Sequence, residues 1–331
     1  MEINGVQNVI EKMNQWGYES KPFVFAFDFE LKQAFIIDNP LLQNEVLFRT
    51  PESNNFSKAD NRKKNNPKKL QVIDFIDIHD YETKFRKVHN AIKHGDSYLC
   101  NLTVKTRISL NISLTELLLQ SWSYYGINYK NQFVSFSPER FVYIKDRTIL
   151  SNPMKGTIDS ISEEAYLQLA NDYKEDCEHN TIVDLIRNDL GMVASNISVR
   201  RFKYIEPLYT DRGHLLQMSS EIEGTLPENY QSQLGNIIFT LLPAGSVSGA
   251  PKQSTLKIIR ESEGENRGYY TGVFGYFNGK SLDSAVMIRF IENDYGRFYY
   301  RSGGGITINS QCKSEWQESM NKIYIASSPC F

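Results

Sequence analysis

The predicted strands of this 331-residue chain follow one another in runs, and that order restricts its fold more than any other feature. Near the N-terminus, the stretches FVFAFDF and AFIID are typical of the two strands of a hairpin. Further strands are predicted at residues 131–158, 268–277, 283–291 and 297–302, followed by a glycine-rich turn and a last helix. Because strand and helix do not strictly alternate, the order predicts an α+β fold with large antiparallel or mixed sheets rather than a doubly wound sheet.

Helical periodicity accompanies these strands in the central part of the chain. Phe85, Val88 and Ile92 are spaced as on one face of a helix that ends at Gly95. Residues 162–191 are predicted to form a helix, a break and a second helix, which Gly191 would terminate.

The chain is predicted to divide into a short N-terminal segment, 1–79, which contains the strand hairpin and a polar, basic linker at residues 53–70, and a main catalytic domain, 80–331. Such a stretch could bind nucleic acid or phosphate, but no aromatic residue is interleaved within 57–70, which favours a solvated connection. The formal net charge of −2 gives no general attraction to nucleic acid or to an anionic membrane.

Several features predict a reduced, cytoplasmic enzyme. No run approaches the roughly 18 apolar residues that a membrane span needs, and the polar start MEINGVQNVIEK is unlike a secretory signal. The four cysteines form no CxxC pair. The five histidines are scattered and do not indicate a zinc site.

The C-terminal stretch SEWQESMNK places two acids and a lysine together. On a helix, Glu315, Glu318 and Lys322 share one face because they stand three and four residues apart. They could form an ordinary surface ion pair, or a site for Mg²⁺, which prefers carboxylates, water and an anionic substrate. Glu178, on another predicted helix, could supply a third carboxylate.

Two small-residue stretches could bind anions through their backbone N–H groups. LLPAGSVSGAPKQSTLKII lacks the spacing of a nucleotide-binding phosphate loop, but it leads into a helix at Pro251 and carries two hydroxyls. The glycines of RSGGGITIN could bind a second carboxylate, although such a run is most often only a turn.

The stretch NPMKGT contains Lys155 between a proline and a glycine, sixteen residues after Glu139 in SFSPERF. If the two intervening strands pair as a hairpin, the acid and the lysine could flank one cavity. A glutamic acid kept neutral by burial could then protonate a leaving hydroxyl. The alternative is that both are solvent-facing charges.

Together and in this order, SFSPERF, NPMKGT, EHNTIVDLIRNDLG, GHLLQMSS, PAGSVSGAPK, SGGGITINS and EWQESMNK resemble the motifs of the chorismate-utilising enzymes over about residues 80–325. The resemblance implies a chorismate-binding fold, with two large, mostly antiparallel sheets packed as a sandwich with flanking helices. The active site would lie in the cleft between the sheets.

The resemblance also implies a role for each matching residue. Mg²⁺ would be held by Glu178, Glu315 and Glu318. Glu139 would protonate the departing C4 hydroxyl, and His214 would line the ring. The substrate would contact Thr157, Ser246, Tyr270, Arg289, Gly303, Gly304, Gly305 and Lys322.

Within the family, Lys155 resembles the lysine of aminodeoxychorismate synthase component I, which carries P-I-K-G-T where anthranilate synthases carry P-I-A-G-T. There the lysine is thought to add covalently to C2 of chorismate before ammonia attacks C4. Water-adding relatives place a base lysine where this chain has Leu99, and amine-forming relatives often have glutamine there.

The resemblance therefore predicts amination of chorismate at C4 for 4-aminobenzoate and folate synthesis. No cysteine lies in a G-x-C-x-G elbow, so ammonia is expected from a partner glutamine amidotransferase. The alternatives are anthranilate synthase component I and, less favoured, isochorismate synthase or a non-catalytic chorismate-binding protein. The short N-terminal segment is not expected to form a complete tryptophan pocket.

Overall fold

The computed structural model describes residues 1–56, 70–121, 123–159, 162–210 and 213–325, but not the side chains of Thr157, Asp159, Lys174, 208–210 and His214. In these ranges the chain forms two sheets of ten and eight strands, and every pairing between their strands is antiparallel. The predicted α+β class with large antiparallel sheets is confirmed.

The ten-stranded sheet is built from both ends of the chain. Its N-terminal hairpin, predicted from FVFAFDF and AFIID, is joined edge to edge with strands from the C-terminal third. In spatial order its strands are β1 (Glu2–Asn4), β3 (Ala34–Asp38), β2 (Phe23–Phe27), β15 (Val273–Phe277), β16 (Leu282–Val286), β9 (Arg140–Lys145), β10 (Thr148–Ser151), β13 (Gly213–Thr225) and β11 (Met154–Asp159), with β12 (Ser195–Thr210) paired to β13.

The eight-stranded sheet lies against the first. Its strands in spatial order are β14 (Gly249–Ala250), β6 (Leu99–Leu110), β18 (Arg297–Ile306), β17 (Phe290–Asp294), β8 (Phe133–Ser137), β7 (Tyr125–Tyr129) and β4 (Val46–Arg49), with β5 (Leu70–Asp74) paired to β6. One buried cluster contains Val24 and Phe274 of the first sheet and Ile127 and Phe290 of the second. The two sheets therefore share a core, as a sandwich does.

Eight α-helices in the described ranges pack around the sheets. They are α1 (Val6–Tyr18), α2 (Ile78–Lys93), α3 (Leu114–Gln120), α4 (Glu163–Ala170), α5 (Tyr173–Gly191), α6 (Leu234–Leu241), α7 (Lys252–Glu263) and α8 (Cys312–Asn321). None of the helices in this part of the chain is both long and apolar enough to cross a membrane.

The buried face of α2 and the end of α5 agree with the sequence predictions, and the structure adds the start of α2. The Asp77 side chain accepts a hydrogen bond from the His79 amide and caps α2. The face of α2 that carries Phe85, Val88 and Ile92 packs on β6 and α7. Helix α5 ends at Gly191, as predicted.

The N-terminal segment contributes strands to both sheets, because β2 pairs with β15 and β4 pairs with β7. The boundary between residues 1–79 and 80–331 stays a prediction. Most of the basic stretch at 53–70 lies outside the described residues.

Two strand predictions in the C-terminal third are wrong. Residues 283–291 are not one strand, because β16 lies in the ten-stranded sheet and β17 in the eight-stranded sheet. The chain bends between them at Arg289, whose φ is 52°. Residues 268–272 are a turn before β15 rather than its beginning.

The predicted glycine-rich turn is also wrong. Gly303, Gly304 and Gly305 lie inside β18, directly opposite Thr103, Leu102 and Asn101 of β6. The local sequence indicated a turn because glycine is permissive, but the ladder with β6 keeps the segment extended. Because these glycines have no side chains, side chains from other elements can approach β18 closely, as described for the candidate site below.

Candidate active site

Two of the places where the chain crosses from one sheet to the other are neighbours, and each carries a predicted site residue. Glu139 lies between β8 and β9, and Arg289 lies between β16 and β17. The crossings are hydrogen-bonded to each other, since Val286 N donates to Glu139 O (3.2 Å) and Phe136 N donates to Arg289 O (3.2 Å). The acid and the guanidinium are therefore carried by one connected pair of segments.

Lys155 lies in β11, the strand that forms one edge of the ten-stranded sheet. Met154 pairs with Ser219 and Thr157 with Gln217, so β11 has one more residue than β13 across this interval. This β-bulge contains Lys155 and Gly156, and a bulge changes the direction in which neighbouring side chains point.

Gly156 is required by this bulge. Its φ is 78°, in the left-handed region that disfavours other residues. A Cβ there would also lie 3.1 Å from Leu169 Cδ1 and 3.2 Å from Glu175 Oε2. The glycine of NPMKGT thus permits the local geometry that presents Lys155.

The glycine strand β18 meets Lys155 from the opposite sheet. A Cβ built on Gly305 would lie 3.2 Å from Lys155 Nζ, 3.6 Å from Glu178 Oε2 and 2.9 Å from Leu99 Cδ1. Because Gly305 has no side chain, the Lys155 amine, the Glu178 carboxylate and the apolar Leu99 side chain can all approach it. They come from three different elements.

The next glycine accommodates the charged face of α8. A Cβ on Gly304 would lie 3.5 Å from Glu315 Oε2, 3.6 Å from Glu318 Oε1 and 3.6 Å from Lys322 Nζ. The prediction that these three side chains share one helix face is confirmed. The face is not simply solvent-exposed, because Lys322 Nζ also donates to Gly303 O (3.0 Å).

Glu139 is a buried carboxyl surrounded by predicted site residues. Ser246 Oγ donates a hydrogen bond to Glu139 Oε1. Burial raises the pKa of Glu139, and the positive charges of Lys155, Arg289 and Lys322 oppose this rise. Burial thus shifts Glu139 toward the neutral form, which is the form that can donate a proton.

Arg289 and Tyr270 provide further hydrogen-bond donors among the predicted site residues. Arg289 Nη2 donates to Tyr324 Oη (2.8 Å), and the guanidinium carbon lies 4.6 Å from the centre of the Tyr324 ring. Arg289 Nε is buried and has no hydrogen-bond partner among the described residues. Burial raises the pKa of Tyr270 to about 12, which keeps its hydroxyl protonated.

The three predicted metal ligands lie along Gly304 and Gly305. Glu178 and Glu315 are buried, and Ser310 Oγ donates to Glu315 Oε1 (2.7 Å). In the described part of the chain, no three His, Cys, Asp or Glu side chains are grouped closely enough to hold a metal ion. The carboxylate oxygens of these three residues nevertheless lie around the space that side chains on Gly304 and Gly305 would fill. Such oxygens fit Mg²⁺, a hard cation that completes its coordination shell with water.

The roles of two predicted residues stay predictions. The side chains of Thr157 and His214 are not among those described. The backbone of Thr157 pairs with Gln217, two residues beyond Lys155. His214 pairs with Tyr209, next to the end of the β12–β13 hairpin.

Sequence reasoning missed two buried polar residues near Lys155. His179 hydrogen-bonds through Nε2 to Ser220 Oγ (2.7 Å), and burial, with Lys203 and Lys155 nearby, lowers its pKa to about 4. Gln217 is buried, and its Oε1 has no partner within the described ranges. The sequence feature that could have indicated His179 is its position next to Glu178 in the motif EHN.

Lys252, the lysine of GAPK, contacts other parts of the protein and does not have the geometry of a nucleotide-binding loop. Lys252 Nζ lies 2.9 Å from Asp189 Oδ2 and donates to Leu241 O (3.1 Å). A Cβ on Gly245 would lie 3.0 Å from the same Asp189 oxygen. This ion pair holds the turn that carries Ser246 against α5.

Comparisons with known proteins show the family of this chain. A protein-family profile described as chorismate binding enzyme matches residues 15–327. A Haemophilus influenzae protein named "Uncharacterized PabA-like protein" is 44% identical over 337 residues, covering 98% of each chain. Aminodeoxychorismate synthase component 1 of Salmonella typhimurium is 31% identical over 260 residues, covering 74% of this chain and 56% of that protein.

A solved structure has the same fold. Anthranilate synthase component I from Streptococcus pneumoniae superposes with a TM-score of 0.65 at 29% sequence identity. The match covers 80% of this chain and 61% of that one.

Proposed function

Since this chain belongs to the chorismate-binding enzyme family, we propose that it aminates chorismate at C4 with ammonia to give 4-amino-4-deoxychorismate. The observation that carries the proposal is the meeting of Lys155 and Glu178 at Gly305, with the buried acid Glu139 near the same amine. The similarity to aminodeoxychorismate synthase component 1 supports the same reaction.

The two carboxylates of chorismate match the cationic and donor groups of the site. Arg289 offers a buried Nε, Lys322 an ammonium group and Tyr270 a protonated hydroxyl. Glu178, Glu315 and Glu318 would hold Mg²⁺, which when bound supplies positive charge to the ring carboxylate. Gly304 and Gly305 leave the space for that contact.

In the proposed reaction, Lys155 is the nucleophile and Glu139 the acid. The Lys155 ammonium group first loses a proton to solvent; the resulting amine forms a bond to C2, both ring double bonds shift, and the C4 hydroxyl leaves as water with the Glu139 proton. Ammonia then forms a bond to C4, both double bonds shift back, Lys155 leaves C2 as the amine, and a proton of the new C4 ammonium group returns to Glu139. The net reaction converts chorismate and ammonia into 4-amino-4-deoxychorismate and water.

Leu99 supports amination over addition of water. Its side chain is buried beside Gly305, at the same position that Lys155 approaches. An apolar side chain cannot remove a proton from water, so Leu99 cannot act as the base that water-adding relatives place at this position.

Ammonia would come from a separate glutamine amidotransferase. Glutaminases of this kind use a reactive cysteine, and reactive cysteines have lowered pKa values. Here burial raises the pKa of Cys100 to about 12 and also raises the pKa of Cys312. The relative's designation as component 1 agrees with a second subunit.

A second candidate is anthranilate synthase component I, because the S. pneumoniae structure of that name matches over 80% of this chain. The two reactions give different products from the same mixture of chorismate, Mg²⁺ and ammonium. Amination at C4 yields 4-aminobenzoate only after a 4-amino-4-deoxychorismate lyase is added. Direct release of 2-aminobenzoate without the lyase would overturn the proposal and favour the second candidate.

A further inference from the structure

We infer that the buried ion pair of Glu263 and Arg267 positions the substrate-binding groups of the site without touching the substrate. The inference rests on the proposed function only in that the ligand is chorismate. No role was predicted for either residue from the sequence. The side chains of the pair contact the turn that carries Ser246 and strand β6, which lies opposite the glycines. Arg267 itself begins the turn that carries Tyr270.

The Glu263–Arg267 pair is buried and joined by two hydrogen bonds. Both side chains are 1% exposed, and Arg267 forms two parallel bonds, from Nε to Glu263 Oε2 (2.9 Å) and from Nη2 to Glu263 Oε1 (2.6 Å). The guanidinium also lies 4.4 Å from the centre of the Phe29 ring. A bidentate pair in a dry interior fixes the direction of the remaining donors.

The first segment is the turn at Gly245–Val247. Arg267 Nη1 donates to Val247 O (2.8 Å). Val247 follows Ser246, whose hydroxyl donates to Glu139. A shift of this turn would therefore move the group that hydrogen-bonds the proposed acid.

The second segment is the glycine strand, which the pair reaches through β6. Arg267 Nη2 donates to Asn101 O (2.7 Å), and Thr103 N donates to Glu263 Oε1 (2.8 Å). Asn101 lies opposite Gly305 and Thr103 lies opposite Gly303 in the strand register. The pair thus holds β6 directly opposite the glycines that face Lys155 and α8.

The third segment carries Tyr270. Its backbone N–H donates to Arg267 O (3.2 Å), and Arg267 Nη1 lies 3.3 Å from Thr271 Oγ1. The Arg267 side chain therefore contacts the residue after Ser246 and the residue after Tyr270. These two contacts, with the contact to β6, distinguish the pair from an ion pair that only fills the core.

The test compares chorismate affinity with stability. The double variant Glu263→Gln/Arg267→Met removes both charges together, so neither is left buried alone. Asn55→Ala is the matched control, because Asn55 holds the backbone of Phe48, Pro40, Gln43 and Val46 far from the site segments. Melting temperature and the chorismate Kd, with Mg²⁺ and without any amine donor, are measured for all proteins.

The double variant is expected to bind chorismate about 10- to 100-fold more weakly than wild type, because small misplacements of binding groups are costly. Asn55→Ala should lower the melting temperature but keep wild-type affinity. Wild-type affinity in a folded double variant would overturn the inference.

Arg267→Lys keeps a cation for Glu263 but loses the fork that reaches Val247 and Asn101. If the double variant does not fold, Arg267→Lys provides the test. Weaker chorismate binding by Arg267→Lys supports the inference, and unchanged binding overturns it. The binding measurement contains no amine donor, so it does not depend on which product the enzyme forms. A wrong product in the separate amination assay therefore overturns the proposed function but not this inference. A wild-type protein that does not bind chorismate defeats both.

Discussion

The Lys155 amine lies 3.2 Å from the point that a Cβ on Gly305 would occupy. The two residues belong to different sheets, since β11 is an edge strand of the ten-stranded sheet and β18 lies within the eight-stranded one. The lysine therefore reaches across the sandwich to a strand that has no side chain at that point. A β-bulge on one side and a glycine on the other create this contact.

Gly305→Ala should lower the rate of amination at least about tenfold. The new methyl group would lie 2.9 Å from Leu99 Cδ1 and 3.2 Å from Lys155 Nζ, so one of them must move. Overpacking of this kind typically costs about 1–3 kcal/mol of stability. Steady-state kinetics with saturating chorismate and ammonium, together with thermal melting, measure both effects.

Gly303→Ala is the control for this change. Its Cβ would lie 2.4 Å from Leu102 O, a backbone atom, so it should disturb the β6–β18 ladder and lower stability more. A Gly305→Ala enzyme with wild-type kcat would contradict the placement of Lys155.

Gly304→Ala should raise the Mg²⁺ concentration needed for half-maximal activity. A methyl group there would stand 3.5 and 3.6 Å from Glu315 Oε2 and Glu318 Oε1. These are ordinary contact distances, so the fold should be retained while the space beside the carboxylates is filled. Titration of chelator-treated enzyme with Mg²⁺ measures the shift, and superimposable titration curves for both proteins would refute the metal assignment.

Glu139→Gln should change how stability depends on pH. Burial raises the pKa of Glu139 above its usual value of 4.5. Between 4.5 and the raised pKa, the folded protein holds a proton that the unfolded chain releases. Glu139 therefore contributes a loss of stability to wild type as pH rises through this window, and the glutamine variant lacks this contribution.

The measurable quantity is the difference in free energy of unfolding between Glu139→Gln and wild type. It should grow with pH above 4.5, at most by about 1.4 kcal/mol per pH unit, and become constant above the raised pKa. Urea unfolding at a series of pH values provides the curve. A difference that stays flat across the series would show that Glu139 is not held in its neutral form.

Arg289→Lys should raise the KM for chorismate by about tenfold or more, with a smaller effect on kcat. Lysine lacks the planar fork that can bind a carboxylate through two donors. Tyr324→Phe is the companion variant, because it keeps the ring under the guanidinium and removes only the acceptor of Arg289 Nη2. An unchanged KM in Arg289→Lys would exclude Arg289 from carboxylate binding.

Local patterns in the sequence were sufficient to predict several elements. The N-terminal hairpin, the end of α5 at Gly191 and the shared face of Glu315, Glu318 and Lys322 depend on periodicity or on one residue's backbone preference. The family motifs also led to the correct chorismate-binding family, which the profile match over residues 15–327 confirms.

Features that depend on distant contacts could not be predicted. The bend at Arg289 arises because β16 and β17 pair in different sheets, which no local pattern encodes. The strand conformation of Gly303–Gly305 depends on β6, about two hundred residues earlier in the chain. The Glu263–Arg267 pair was missed for the same reason, since its partners come from separate segments.

The central claim is that Lys155 is the nucleophile of the amination. The most direct test measures 4-amino-4-deoxychorismate formation by wild type, Lys155→Ala and Lys155→Arg at saturating chorismate, Mg²⁺ and ammonium. Both variants should remain folded and bind chorismate, but kcat should fall by at least about 1000-fold, because neither side chain can form the bond to C2. An unchanged kcat in folded Lys155→Ala would contradict the account.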